Sequence, residues 1–471
     1  MKIAFVSLNT YKPTNAPLGL VYLSTIIKQK YPSEELRIID ANFEDVEEEL
    51  KNYSPDIIGI TAMTTDYGRA IKLAKKIKNI PILIGGVHIT TLPNSFKDCF
   101  KIGILGEGEY ILLDLIKIYK KYNKFPKEEL KKITGLLFLE NGELINTGRR
   151  ELIKNLDEIP HPDRSLINKG YFKKEILEDG SVGIRHNMIA SRGCPFECVF
   201  CSTSKFWAKK IRYHSVDYIV EEVRILHKKY GVNYINVPDD LFLTNNKKAR
   251  ELVGALKKEG LEKIKWGVQL KAELINEDLL STLKELNVVR IGCGFESGSQ
   301  KVLNYLKKGT VNLEKSKEAV RLMIKHKFLV GGSFMFAVPG ETIEDMYKTL
   351  DLIKEFKKIG AKDLSTFVLT PYPGTEIWEI AKQKGKVSDD MDWDFLRQNS
   401  EDQALNPILL DDDIDMKEYH KFYKKRGELM KSFKIDIIKR DLKKRPFWVL
   451  KRAITKPKTT FNIIFKKILY G

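Results

Sequence analysis

The chain has 471 residues, 43% apolar and 31% charged, with 81 Lys and Arg against 63 Asp and Glu, a net charge of +18. That length fits about two to four domains. The apolar fraction excludes a disordered polymer, and 31 Gly with 17 Pro exclude a collagen-like or low-complexity chain. A surplus of +18 suits either a nucleic-acid surface or the Lys/Glu-rich surface of a heat-adapted protein, so where it sits matters more than its size.

The opening MKIAFVSLNTYKP runs directly into a strand-like segment, without the long apolar region and cleavage site of a signal peptide. No run of about 20 consecutive apolar residues occurs, and a cytoplasmic protein is expected. Over residues 1–125, strands are predicted at Lys2–Leu8, Leu36–Asp40, Asp56–Ala62, Pro81–Gly86 and Ile102–Gly106. Amphipathic helices are predicted at Gly19–Lys30, Phe43–Tyr53 and Asp66–Lys78. Such alternation means crossover units and a Rossmann-like parallel sheet of the α/β class, with helices on both faces. Ligands of these sheets bind beyond the carboxyl ends of the strands. Those ends carry Asn9-Thr10, Thr61–Thr65, Gly85-Gly86-Val87-His88-Ile89-Thr90 and Gly106-Glu107-Gly108-Glu109. A dinucleotide site would place GxGxxG after the first strand. No glycine stands there, and the later GxG is interleaved with carboxylates that repel a pyrophosphate, so a nicotinamide or flavin dinucleotide domain is excluded.

Residues 126–185 read as a connector. Asn141-Gly142 between apolar stretches predicts a hairpin within Ile133–Leu144, and the prolines of Asn155–Arg164 break regular structure. A second series over 186–400 predicts strands at Asn187–Ser191, Tyr234–Val237, Ile264–Leu270, Val288–Phe295, Gly331–Phe336 and Leu364–Leu369. These fit a partial (β/α)6 barrel with its chemistry at the strand carboxyl ends. Residues 401–471 form a C-terminal segment, in which Asp411, Asp412, Asp413 and Asp415 precede a basic, aromatic-containing stretch expected to be helical. Residues 416–471 hold eighteen Lys and Arg against four Asp and Glu, so +14 of the +18 lies there.

Five cysteines occur: Cys99, Cys194, Cys198, Cys201 and Cys293. A low, odd count without a secretion signal argues against a disulfide framework. Cys194, Cys198 and Cys201 lie together in Ser191-Arg-Gly-Cys-Pro-Phe-Glu-Cys-Val-Phe-Cys201, directly after the first strand of the second series. Three thiolates so close can converge on one metal centre. Iron–sulfur cubanes usually take four cysteines, so three leave one iron open, as catalytic zinc sites keep an open position. The alternatives are a Cys₃His zinc site completed by His214 and three incidental cysteines.

This CxxxCxxC spacing, with Phe200 before the last cysteine, resembles the signature of the radical S-adenosylmethionine (SAM) enzymes. Val237-Pro-Asp239-Asp240, Gly294-Phe-Glu296-Ser-Gly298, Phe334-Met-Phe-Ala-Val-Pro-Gly340 and Leu369-Thr-Pro-Tyr-Pro-Gly374 resemble the family's later strand-end motifs. The resemblance implies a [4Fe-4S] cluster held by Cys194, Cys198 and Cys201. Its open iron would chelate S-adenosylmethionine, and one electron from a flavodoxin- or ferredoxin-type donor would release a 5′-deoxyadenosyl radical. Phe200 would lie near the adenine, Asp240 near the amino group or ribose, and Glu296 near the methionine or ribose. For Asp239-Asp240 a helix cap is the competing reading.

Asn15-Ala-Pro-Leu18-Gly19-Leu-Val-Tyr22-Leu-Ser24, the Gly85-Gly86-Val87-His88 and Gly106-Glu107-Gly108 loops and Leu156-Asp-Glu-Ile-Pro resemble the cobalamin-binding radical SAM enzymes, over residues 1–400. Ser24 and Lys271 stand where Ala and Arg are common. The resemblance implies a cobalamin site of Thr10, Leu18, Gly19, Tyr22, Thr64, Gly85, Gly86, His88, Gly106, Glu107 and Gly108. Glycines let backbone approach the macrocycle, and Thr10, Thr61, Thr64 and Thr65 are placed to hydrogen-bond corrin amides. The chain lacks DxHxxG, so His88 is expected to line the pocket rather than to ligate cobalt.

The expected activity is functionalisation of an unactivated carbon by methyl transfer, on a small-molecule or lipid substrate. Radical C–C bond formation, ring closure or rearrangement without net methylation is the alternative, and an RNA-interacting metal-binding protein a distant third. For the tail the readings are docking at the inner face of an anionic membrane, a helix packed on the barrel, or nucleic-acid binding, the last disfavoured because no compact RNA-binding domain is evident.

Overall fold

The computed structural model describes residues 1–10, 15–177, 180–242, 246–396, 407–411 and 414–444. It comprises two units. The first is Met1–Gln269 with Thr282–Val288 and the described part of Pro371–Arg397; the second is Leu270–Ser281 and Val289–Thr370 with the described residues after 398.

In the first unit, five parallel strands form the expected sheet: β1 (Lys2–Ser7), β2 (Glu35–Asp40), β3 (Ile57–Thr61), β4 (Ile82–Gly85) and β5 (Ile102–Ile104). Strands covered on both faces are apolar throughout rather than alternating; Ile3, Ala4, Phe5 and Val6 of β1 are all buried. The helix Leu18–Lys30 buries Leu20, Val21, Tyr22, Ile26 and Ile27. Asp45 starts the helix Val46–Tyr53 by accepting from the amides of Glu47 and Glu48, both at 3.0 Å.

The connector departs from expectation. Its hairpin, β6 (Leu136–Glu140) and β7 (Glu143–Asn146), extends this sheet, which has the order β2-β1-β3-β4-β5-β6-β7. Asn141 and Gly142 have φ of 51° and 86°, the left-handed pair that a tight hairpin requires. β6 buries Leu136, Leu137 and Phe138 and runs antiparallel to β5, which is why the hairpin docks instead of bridging. One short ribbon follows, β8 (Glu175–Ile176) with β9 (Val182–Gly183).

The strand predicted at Asn187–Ser191 divides in two. β10 (Arg185–Asn187) joins the second parallel series, whereas β11 (Ser191–Arg192) turns away to pair antiparallel with β12 (Arg212–Tyr213). The break lies where Asp239 accepts from the Ala190 amide, 3.2 Å, and the Ser191 hydroxyl, 2.7 Å. β13 (Tyr234–Asn236) and β14 (Lys265–Leu270) continue in parallel beside β10. Between them the helix Val216–Tyr230 opens on a Ser215 cap and closes on Gly231 with φ 68°.

In the second unit, β15 (Val288–Glu296), β16 (Leu329–Phe336) and β17 (Asp363–Val368) are parallel neighbours. The register shifts between Gly294 and Glu296, and Glu296 takes a φ of 65° there. Thr342 and Asp345 form a capping box on the helix Ile343–Ile359. The helix Met416–Lys444 packs on this unit: Tyr419 and Phe422 are buried, and Phe422 meets the Phe336 ring edge-on at 4.8 Å. That part of the C-terminal segment serves as core. Membrane docking was expected of the basic C-terminal segment as a whole, and its residues 445–471 lie outside the described residues.

Candidate cofactor site

A cavity of about 380 Å³ opens at the carboxyl ends of the first unit's strands. Its walls combine apolar groups (Phe5, Leu20, Leu23, Ile60, Leu83, Ile104, Leu112) with Gly19, Gly85, Gly86, Gly106 and Gly108. Ile189, Ser191, Arg192, Phe206 and Trp207 close the same cavity from the segment around the three cysteines, and Asp239 and Asp240 from the loop after β13. Gly86 is demanded by the backbone: its φ is 104°, and a Cβ there would lie 2.7 Å from the Ala62 carbonyl oxygen. At Gly19 a Cβ would meet nothing within 4 Å, so its absence leaves the cavity wide.

Of the predicted cobalamin residues, Gly19, Tyr22, Gly85, Gly86, Gly106, Glu107 and Gly108 line this cavity, whereas Thr10, Leu18, Thr64 and His88 do not. Leu18 is buried in the sheet–helix core. Thr10 is exposed and accepts from Arg69 at 3.1 Å. Thr64 turns inward to His88, whose ring is fully buried against Tyr67 at 4.0 Å and Trp393 at 4.4 Å. The Ser95 hydroxyl gives its proton to the Leu92 carbonyl, 2.7 Å, and so accepts from His88 Nε2, 3.0 Å. Nδ1 then accepts from the Thr64 hydroxyl at 3.2 Å. Both ring nitrogens are engaged inside the core, and burial lowers the His88 pKa to about 3. The ring is a neutral packing element, not a pocket wall and not placed as an axial ligand.

Glu107 touches the cavity but is spoken for by cations. Arg192 binds Glu107 at 2.6 Å and Glu109 at 2.7 Å, and Arg212 binds the other Glu107 oxygen at 2.9 Å. Arg192 and Arg212 are not predicted as site residues from the sequence, and Glu109 enters there only as the end of the Gly106-Glu107-Gly108-Glu109 strand-end motif. The available signal was the Gly-Glu-Gly-Glu pattern itself, since two carboxylates beside an apolar pocket need cations to be buried at all.

The cysteine loop follows β11. Cys194, Cys198 and Cys201 are half-buried. Burial raises the Cys194 pKa, and the neighbouring Cys201, Asp240 and Cys198 raise it further, so Cys194 lies within the fields of the other two sulfurs. Among the described residues no set of three His, Cys, Asp or Glu side chains converges on a single ion, and a cubane asks for something else, one iron per cysteine. The Cys₃His zinc alternative does not form: His214 bonds Asp157 at 3.0 Å and stacks on Tyr218 at 3.9 Å. Asp240 accepts from Thr203 at 3.1 Å and, with Asp239, binds the cysteine-bearing segment rather than capping a helix. Burial raises the Asp239 pKa to about 8. Phe200 is half-buried beside Cys201, outside the cavity lining. In the second unit Glu296 is buried and pairs with Lys307 at 3.1 Å.

Comparison with known proteins then places these features. The B12 binding domain model matches residues 6–116, and the Radical SAM superfamily model matches 188–353. An uncharacterized methyltransferase of Pyrococcus horikoshii is 36% identical over 380 residues, 78% of this chain and 79% of its own. The chain belongs to the radical SAM superfamily. This radical SAM enzyme is also 29% identical to the anaerobic magnesium-protoporphyrin IX monomethyl ester cyclase of Cereibacter sphaeroides, over 87% of the chain and 67% of that relative. Its fold resembles the cobalamin-dependent SAM radical enzyme OxsB, with a TM-score of 0.68 at 19% identity, covering 92% of this chain and 67% of that one. The fold class is therefore a B12-type parallel sheet followed by a radical SAM partial barrel, as expected, and residues of both matched segments, 6–116 and 188–353, line the radical SAM enzyme's cavity.

Proposed function

We propose that this radical SAM enzyme binds a [4Fe-4S] cluster, S-adenosylmethionine and cobalamin and methylates an unactivated carbon of a small molecule. The observation that carries the reading is the cavity itself, in which the Gly85-Gly86 and Gly106–Gly108 loops share the lining with Ser191 and Arg192 of the cysteine-bearing segment and with Asp240 after β13. The residues fit both groups. An apolar wall opened by Gly19, where a Cβ would point into empty space, suits the face of a macrocycle, and three half-buried cysteines within eight residues, with Cys194 in the field of the other two, suit a cubane with one open iron. When bound, these groups would supply one-electron cleavage of S-adenosylmethionine and methyl carriage.

The chain's own residues do the rest. Cys194, Cys198 and Cys201 hold the cluster. Asp240, fixed by Thr203, faces the space that S-adenosylmethionine's polar end would fill. Glu296, held by Lys307, keeps its motif-based assignment to S-adenosylmethionine, and Phe200 flanks the adenine. The buried walls keep water from a reactive carbon radical. Two relatives frame the outcome, since one is named a methyltransferase and the other a cyclase; ring closure without methylation is the second reading. Among the described residues no helix is long and apolar enough to cross a membrane, and the basic stretch of Arg445–Gly471, with seven Lys and Arg and no acid, is proposed to dock on an anionic lipid surface.

Anaerobic reconstitution tests the assignment. About four irons and one cobalamin per chain, with reductive cleavage of S-adenosylmethionine, are expected. Full cleavage activity after Cys198→Ala would refute the cluster ligands.

A further inference from the structure

Glu107 and Glu109 reach the cavity from the loop after β5, and Arg192 reaches it from β11, two residues ahead of Cys194. All three side chains are nearly closed to solvent, at 4%, 6% and 9% exposure. Each terminal nitrogen of Arg192 takes a different carboxylate, at 2.6 and 2.7 Å. The second oxygen of Glu107 accepts from Arg212 at 2.9 Å and from the Ile153 amide at 2.7 Å. Two carboxylates and two guanidiniums thus balance out of water, and removing any member leaves a buried charge alone.

The geometry resists independent movement of either loop. Gly193, between Arg192 and Cys194, has a φ of 102°, and a Cβ there would lie 2.0 Å from the Lys210 carbonyl oxygen. The cysteine loop is therefore wedged against the following turn. On the other side, Glu107 sits between Gly106 and Gly108, and all three line the cavity. A displacement of that loop carries Glu107 and Glu109 with it, and either drags Arg192 or breaks buried ion pairs.

We infer that Arg192, clasped by Glu107 and Glu109, couples occupancy of the cavity to the geometry of the cysteine loop. The three are positioning residues, and the inference rests on the cofactor reading above. A coupling between two binding sites is reciprocal. Whatever factor cobalamin imposes on the affinity for S-adenosylmethionine, S-adenosylmethionine imposes on the affinity for cobalamin.

The test uses the full chain reconstituted anaerobically with iron and sulfide, alongside Glu109→Gln and the conservative Arg192→Lys. Iron content and hydroxocobalamin stoichiometry are measured first. The Kd for S-adenosylmethionine is then measured by equilibrium dialysis, with and without hydroxocobalamin, and the Kd for hydroxocobalamin with and without S-adenosylmethionine. The native chain is expected to change both by the same factor of about five or more. Glu109→Gln is expected to load both groups yet show a change within about twofold, with Arg192→Lys between the two. A native chain that takes up the cluster but no hydroxocobalamin overturns the cofactor reading and the coupling together. A native chain that binds both without any change in Kd, or variants that keep the full change, overturn the coupling alone.

Discussion

At the scale of single residues, His88 shows how a tempting ligand becomes a packing group. Its type and its place after β4 were visible in the sequence; its engagement on both nitrogens was not, because Ser95 and Thr64 approach from separate turns. A histidine held neutral in the fold stabilises fully above its unfolded pKa of about 6.5, and that stability is lost as pH falls toward its lowered folded value. With the His88 pKa lowered to about 3, the native chain should lose about 2 kcal/mol relative to a non-titrating His88→Asn variant between pH 7 and pH 5. Denaturant midpoints at the two pH values check this, and a pH-independent difference would contradict it. The buried pair Arg164–Glu222, with both side chains at 0% exposure, is the clearest structural ion pair. Arg164→Met strands Glu222 and should cost about 3–5 kcal/mol, read as a lowered unfolding midpoint.

At the scale of elements, the strand–helix alternation was legible because parallel strands buried on both faces are written as unbroken apolar runs. Pairing partners were less legible. The Asn141-Gly142 hairpin was evident as a hairpin, but only the sheet edge at β5 reveals where Leu136–Phe138 bury themselves. The division of β10 from β11 was likewise hidden, since it depends on Asp239, about fifty positions along the chain. The two glycines of the cavity separate backbone need from ligand space. Gly86→Ala forces a Cβ onto the Ala62 backbone and should destabilise the fold. At Gly19 an added Cβ meets nothing within 4 Å, and Gly19→Leu replaces a poor helix former, so stability should hold or rise by up to about 1 kcal/mol. The same side chain fills the cavity, and affinity for hydroxocobalamin should fall about tenfold or more, a loss of about 1.4 kcal/mol. Dialysis and thermal melts on the same preparation decide the point; unchanged affinity would place cobalamin elsewhere.

At the scale of the whole molecule, the charge of +18 resolves into nearly neutral residues 1–415 and a basic terminus, with eighteen Lys and Arg against four acids over residues 416–471. The first part of that stretch packs on the second unit through Tyr419 and Phe422. The proposed lipid docking therefore rests on residues 445–471, where each of seven cations adds about 1 kcal/mol near an anionic surface. Deleting 445–471 should abolish sedimentation with phosphatidylserine vesicles at low salt and leave the melting temperature nearly unchanged; equal sedimentation of both forms would remove the proposal. The central claim, methyl transfer by a radical SAM enzyme that carries cobalamin, has a more direct test that needs no substrate. Native chain loaded with cluster and hydroxocobalamin, reduced and supplied with S-adenosylmethionine, should release S-adenosylhomocysteine in proportion to bound cobalamin. Formation of 5′-deoxyadenosine alone, with both groups fully loaded, would contradict it.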